Sequence, residues 1–138
     1  MSGIPSTAST PVTRDTATVS PTTPAGANVA PDEATRTLLA AADVATSEFR
    51  YSEAISFIER AIRMTPRAAA LWTRLSAAHL ADGNVAGAEQ YARKAIALAG
   101  NDPVQVQQAW LQLAAVRAAQ GHTSEAESIR RAYRSVPG

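Results

Sequence analysis

Two histidines, His79 and His122, are the side chains best suited to bind a metal ion or to act as a general base near neutral pH. A metal site needs further ligands at a suitable spacing, and the polar turn around His122 offers none. His79 falls within a helical stretch at a position between paired helices, where packing and hydrogen bonding are the expected roles. The serines and aspartates are too scattered to indicate a catalytic triad, and no Gly-rich phosphate loop occurs. We therefore expect no enzymatic activity, no metal and no cofactor.

The composition narrows the classes of partner. The 138 residues carry a formal net charge of +1, so bulk electrostatics indicate neither nucleic acid nor an anionic membrane as a ligand. The absence of cysteine excludes disulfides and thiolate chemistry in this chain, and fits either the cytosol or the periplasm. No apolar run approaches the roughly 18 residues of a membrane-spanning helix. The opening MSGIPSTAST has no signal-peptide pattern, as would also hold for a mature fragment with an added start methionine.

The chain divides into two unlike segments. Residues 1–31 contain five of the eight prolines and eleven Ser or Thr residues, with few large side chains, which predicts a disordered linker. Such a linker has a typical end-to-end distance of about 30 Å, and fully stretched it reaches on the order of 100 Å. Residues 32–136 are rich in alanine and repeat apolar side chains at helical spacing, which predicts a folded helical domain.

Helix boundaries follow from the breaks in this pattern. Thr65-Pro66 and Asp102-Pro103 each combine a capping side chain with a proline suited to a first helical turn. Gly83 and Gly121 lie in short polar gaps that should end helices, and Ser124 with Glu127 has the spacing of a capping box. The predicted helices span about 33–48, 51–64, 67–81, 85–98, 103–120 and 123–134.

An internal repeat relates these helices. YSEAISFIERAIRMTP (51–66) aligns with VAGAEQYARKAIALAG (85–100) at an offset of 34 residues. A third copy repeats Trp72-x-x-Leu75 as Trp110-x-x-Leu113, now at an offset of 38, so four residues have been added around GNDPVQ. The added residues either form a recognition loop or extend a helix. Small residues at Ala54, Ala88 and Ala126 are expected where the second helix of each pair crosses the first.

With this pattern the sequence resembles the tetratricopeptide repeat family. The family's W-x-x-L-G motif, turn glycine and small residues are matched best in the second repeat, by Trp72, Leu75, Gly83 and Ala88. Ser76 stands where the motif has Gly, and Phe49 replaces the turn glycine of the first repeat. The resemblance implies an all-α fold of three helix-turn-helix repeats, at about 33–66, 67–100 and 103–134, stacked in a short right-handed solenoid. It also implies a non-catalytic protein-binding module, expected to be a monomer.

In this family the first helices of the pairs line a concave groove that binds the partner. The matching positions here, which we take as candidate partner-binding residues, are Arg36, Leu39, Asp43, Thr46, Thr73, Arg74, Ala77, Leu80, Gln108, Leu111, Gln112 and Ala115. Some family members clamp a C-terminal carboxylate with an asparagine at positions occupied here by Asp43, Ala77 and Ala115. The substitution disfavours a carboxylate clamp and a chaperone-tail ligand. A small, weakly polar groove instead suits a helix or an extended segment.

A basic end is formed by Arg130, Arg131 and Arg134, with Arg117 as a candidate neighbour. Arginines at the end of the last helix interact favourably with its dipole and solubilise the end of the stack. The alternative is an anionic patch on a partner, with nucleic acid disfavoured by the overall charge.

Residues 97–132, ALAGNDPVQVQQAWLQLAAVRAAQGHTSEAESIRRA, and the Pro/Thr-rich leader resemble small periplasmic lipoproteins that activate class A penicillin-binding proteins, the bifunctional peptidoglycan synthases. That resemblance implies a periplasmic protein, anchored to the outer membrane through a lipidated cysteine that this sequence lacks. The alternative is a cytoplasmic adaptor or chaperone that holds a subunit during pilus or secretion-system assembly.

Overall fold

Six helices form three consecutive antiparallel pairs in the computed structural model, which describes residues 31–134. They are α1 (Glu33–Ser47), α2 (Tyr51–Met64), α3 (Ala69–Ala81), α4 (Val85–Ala99), α5 (Pro103–Ala119) and α6 (Thr123–Tyr133). Each helix packs against the next along the chain, and α3 also packs against α5, as expected for a stack of helical repeats. The six predicted helices are confirmed, with ends that differ by at most two residues. The predicted linker, residues 1–31, lies almost wholly outside the described residues.

Two of the predicted helix-end signals act as expected. The carboxylate of Asp102 accepts hydrogen bonds from the backbone N–H groups of Val104 and Gln105, and Pro103 occupies the first turn of α5. Gly83 and Gly121 have φ angles of 89° and 85° at the turns within the second and third pairs. Glycine adopts this left-handed conformation without the steric cost that a Cβ atom brings.

Two other predicted signals were wrong. Thr65 does not cap α3, which begins at Ala69; its hydroxyl instead lies 3.1 Å from the hydroxyl of Thr35 on α1. Ser124 is not the cap of a capping box, because α6 begins at Thr123 and Ser124 is already inside the helix. Residue spacing identified the regions correctly, but the local turn geometry set the boundaries.

The four added residues of the third repeat extend a helix. α5 has 17 residues where α3 has 13, a difference of four residues, or about one helical turn. An insertion of one turn leaves the downstream face almost in register, so Trp110 and Leu113 keep their places in the stack. Gln107, just after the added turn, reaches the end of α6, where its amide donates to the carbonyls of Tyr133 at 2.9 Å and Arg134 at 3.1 Å.

Alanine lies at every close helix crossing that the repeat predicted. Ala54, Ala88 and Ala126 are fully buried, so the small side chain sets the distance between paired helices. Ser76, also fully buried, replaces the motif glycine and donates a 2.7 Å hydrogen bond to the carbonyl of Ala88. Gln112 donates in turn to the Ser76 hydroxyl at 3.1 Å, which links α5, α3 and α4. The departure from the motif glycine therefore has a structural role, because the Ser76 hydroxyl joins three helices through hydrogen bonds.

The two tryptophans pack against tyrosines of following helices. The Trp72 and Tyr91 rings are 5.9 Å apart, and the Trp72 indole N–H donates to the carbonyl of Pro66 at 2.9 Å. Trp110 stacks on Tyr133 at 5.2 Å, nearly parallel. These contacts supply the large apolar area that joins neighbouring helices.

A charged network joins the second and third repeats. Glu89 on α4 accepts a 2.7 Å hydrogen bond from the Gln120 amide, pairs with Arg93 at 3.0 Å and lies 3.2 Å from Arg117. Arg117 also donates to Glu125 at 3.0 Å. The hydrogen bond from Gln120, the one from Arg93 and the positive charge of Arg117 together lower the pKa of Glu89 to about 2.

This depressed pKa predicts an acid-sensitive contribution to stability. A carboxylate whose pKa is lower in the folded than in the unfolded protein stabilises fully above its unfolded pKa, and the gain fades as pH falls from about 5 towards 2. We expect Glu89→Gln to cost about 1 kcal/mol at pH 7, discounted for partial exposure, and nearly nothing at pH 2. Urea unfolding at both pH values measures the difference. The exposed Glu59 on α2 supplies a control, Glu59→Gln, and an equal cost of Glu89→Gln at both pH values would contradict the assignment.

Candidate partner-binding groove

A small pocket opens between α1 and α3, the first helices of the first two pairs. Its floor consists of apolar side chains from three helices, and its rim consists of candidate groove residues. The floor residues are Ala42, Ile58 and Ala78, and the rim residues are Asp43, Thr46, Arg74 and Ala77. The structure thus brings together four of the twelve candidate residues around one cavity, which we call the α1–α3 pocket.

An ion pair spans the mouth of the α1–α3 pocket. The guanidinium of Arg74 on α3 pairs with the carboxylate of Asp43 on α1, and both side chains are more than two-fifths exposed. An exposed pair of this kind contributes little to stability, because solvent screens it and ordering two side chains costs entropy. Its two charged groups can therefore be redirected to a partner at small cost.

The size of the α1–α3 pocket limits what can enter it. The cavity measures about 180 Å³, well below the roughly 300–1,000 Å³ of a typical small-molecule site. Its floor is apolar while its rim carries one positive and one negative group. These features fit one aliphatic side chain from a bound segment, whose neighbouring polar groups would meet Arg74 and Asp43.

Two candidate residues serve packing. Leu39 is only 8% exposed and belongs to the core between the first two pairs, so it offers a partner almost no surface. Gln112 is half-buried and donates to Ser76, as described above. Repeat position alone did not distinguish Leu39 and Gln112 from the pocket-lining residues. Neighbouring positions on the same helix face are exposed in one place and buried against another helix in the next.

The remaining candidates line the face outside the pocket. Arg36 and Gln108 are exposed, while Leu80 and Ala115 are half-buried. Thr73 is also half-buried, and among the described residues its hydroxyl oxygen is enclosed without a hydrogen-bond partner. Leu111 lies apart from the α1–α3 pocket, in a shallow depression with Arg130 and Arg134 at the last pair.

The histidines and the basic end also have local partners. His79 lies with its Nδ1 atom 3.1 Å from the amide nitrogen of Asn84 and its ring 5.0 Å from that of Tyr91, which confirms the packing role. His122 precedes α6 and lies 3.8 Å from Glu125. Among residues 31–134, no three His, Asp or Glu side chains could hold a metal ion.

The basic end is less concentrated than the sequence suggested. Arg130 pairs with Glu127 at 3.0 Å. Arg117 lies in the last turn of α5 and belongs to the Glu89 network, whereas the end of α6 lies near the beginning of α5. Arg131 is exposed, with Ser128 at 3.5 Å. Arginines that are partly paired within the domain make a weaker anion-binding surface.

Comparison with known proteins defines the class. The tetratricopeptide repeat family matches residues 45–109, which run from the end of α1 into α5. Together with the three stacked helix pairs, this match shows that the folded part has the tetratricopeptide-repeat fold. Such a domain is a protein-interaction module, so a protein is the partner that the fold implies. Within the described part of the chain, no helix combines the length and the apolar character needed to cross a membrane.

Two solved structures of particular proteins are similar to this one. The globular C-terminal domain of Pseudomonas aeruginosa LpoP is similar with a TM-score of 0.70 and 29% identity, over 75% of this chain and 98% of that domain. The Sgt2 tetratricopeptide-repeat domain of Aspergillus fumigatus is similar with a TM-score of 0.64 and 22% identity, over 74% of this chain and 65% of that one. A search of curated proteins found no significant match.

Proposed function

We propose that this protein binds and stimulates a class A penicillin-binding protein, as a periplasmic activator of the outer-membrane lipoprotein type. The observation that carries the proposal is the likeness to the LpoP domain, which extends over 98% of that domain at 29% identity. The likeness to Sgt2, at 22% identity, bears on the fold alone. The assembly adaptor considered in the sequence analysis therefore has no observation of its own in its favour.

The α1–α3 pocket is the proposed contact site. A bound segment of the synthase would place one aliphatic side chain on the Ala42–Ile58–Ala78 floor and polar groups against Arg74 and Asp43. Binding that favours a more active conformation of the synthase raises its activity by shifting the population towards that conformation. The predicted linker of residues 1–31 would supply the reach from a membrane anchor to the synthase.

We expect Ala77→Phe to weaken synthase binding by about tenfold or more, because the new ring fills the pocket. Ala77 is exposed, so the substitution should leave the free energy of unfolding within about 0.5 kcal/mol of wild type. Titration of the purified protein against a class A synthase measures binding, and the rate of glycan polymerisation measures stimulation. Ala97→Phe adds the same ring at an exposed position on α4 and is the matched control.

The outcomes separate the two parts of the proposal. Failure of the wild-type protein to bind or stimulate any class A synthase of its own cell would exclude the activator function. Normal binding by Ala77→Phe would instead move the contact away from the α1–α3 pocket. The coding sequence upstream of Ser2 tests the location, since a signal peptide ending in a lipobox cysteine is expected for a lipoprotein.

A further inference from the structure

Phe49 occupies the turn between α1 and α2 in a conformation that L-residues rarely adopt. Its φ angle is 61°, the only positive value at a non-glycine residue within the described range 31–134. The equivalent turns of the second and third pairs hold Gly83 and Gly121, also at positive φ. A Cβ atom at either glycine would meet nothing within 4 Å, so the turn has room for a side chain but favours glycine for its backbone.

Folding gains little from phenylalanine at this position. A bulky side chain in the left-handed region carries a steric penalty that glycine avoids. The Phe49 side chain is 77% exposed, so burial does not offset that penalty, and its one ring contact is an edge-to-face approach to Tyr51 at 6.3 Å. Backbone strain combined with an exposed aromatic ring is typical of a functional position.

Phe49 adjoins the α1–α3 pocket. Its backbone N–H donates a 3.0 Å hydrogen bond to the carbonyl of Thr46, which lines the pocket rim. Phe49 therefore lies three residues, less than one helical turn, beyond a residue of the pocket rim. The pocket accepts a side chain, whereas Phe49 presents one.

The charges beside the ring are compensated within the domain. Arg50 pairs with both Glu48 and Glu53, so the turn carries no free positive charge to attract an anionic lipid surface. Without a free cation beside it, the exposed ring lacks the electrostatic attraction that strengthens binding to anionic lipids. These features favour an apolar pocket on a protein over a membrane.

We propose that Phe49 is an aromatic anchor that inserts into an apolar pocket of the same protein partner that occupies the α1–α3 pocket. This inference rests on the proposed binding of a class A synthase. It adds a second, reciprocal contact: the partner gives a side chain to the pocket between α1 and α3 and receives the Phe49 ring.

Phe49→Gly should stabilise the protein and weaken its binding to the synthase, and the test measures both effects. Glycine relieves the backbone strain, so we expect the thermal midpoint to rise by about 3–6 °C. Loss of the ring should weaken binding to the purified synthase by about tenfold or more.

Phe49→Ala removes the ring but keeps the Cβ atom, so it should bind as weakly without the gain in midpoint. Phe49→Leu keeps an apolar side chain and should retain more of the binding than Phe49→Ala, and Val104→Ala trims another exposed apolar side chain and should bind normally.

Each result decides the inference. Wild-type affinity in Phe49→Gly or Phe49→Ala, with wild-type binding intact, overturns the anchor and leaves the proposed function standing. No synthase binding by the wild-type protein removes the proposed function and the anchor with it. Sedimentation with phosphatidylglycerol vesicles that depends on Phe49 would show a membrane contact and also overturn the anchor.

Discussion

The Ala88→Leu variant should be less stable than the wild-type protein by about 2 kcal/mol, which corresponds to a thermal midpoint roughly 8–16 °C lower. Ala88 is fully buried where α4 crosses α3, and its carbonyl accepts the hydrogen bond from Ser76. Three additional heavy atoms cannot fit unless the two helices separate. Separation also weakens the hydrogen bonds that link Gln112 to Ser76 and Ser76 to the Ala88 carbonyl, so α5 is destabilised together with the second pair.

Ala97→Leu is the matched control, since it makes the same change at an exposed position of the same helix. Leucine and alanine have similar helix propensities, so its midpoint should stay close to that of wild type. Chemical denaturation of the two variants side by side measures the difference. A wild-type midpoint for Ala88→Leu would mean that the α3–α4 crossing is not closely packed.

The Leu71→Ala variant should lose about 3 kcal/mol of unfolding free energy, within the roughly 2–5 kcal/mol range for core Leu→Ala changes. Leu71 has no exposed surface and belongs to the core cluster that includes Leu39, Ile58 and Leu75. It therefore connects the first pair to α3. Its removal leaves a cavity that the short solenoid cannot readily close, because each helix is already held by its neighbours.

Urea unfolding followed by far-ultraviolet circular dichroism measures this loss. Val104→Ala removes aliphatic atoms from a side chain that is 53% exposed, and should change stability by less than about 0.5 kcal/mol. Similar effects of the two substitutions would contradict the core assignment. A loss confined to a subset of helices would instead show that the pairs unfold separately, as quasi-independent repeats can.

The fold was predictable to within two residues at the helix ends because the repeat carries the same packing information three times. A close helix crossing requires a small side chain, and a left-handed turn favours glycine. Both requirements are local, so they can be read from the residue type. Thr65 and Ser124 were misread because capping depends on the course of the chain before the helix, which residue spacing does not reveal. The role of the four added residues became clear only when α5 proved longer by a single turn.

The candidate site was predictable as a face and not as a set of contacts. Asp43, Thr46, Arg74 and Ala77 do surround one pocket, whereas Leu39 lies in the core. Phe49 was visible in the sequence as a departure from the turn glycine. The exposure of its ring and its left-handed backbone, which give that difference its meaning, are properties of the folded turn.

The sequence by itself determined that this protein is a stack of helix pairs, because periodicity, small crossing residues and turn glycines act locally and recur. Tertiary structure decided which side chains of the shared face remain available to a partner. That division arises because exposure depends on how far neighbouring pairs rotate against each other, a property of the assembled stack. The pocket between α1 and α3 exists only once the first two pairs have packed.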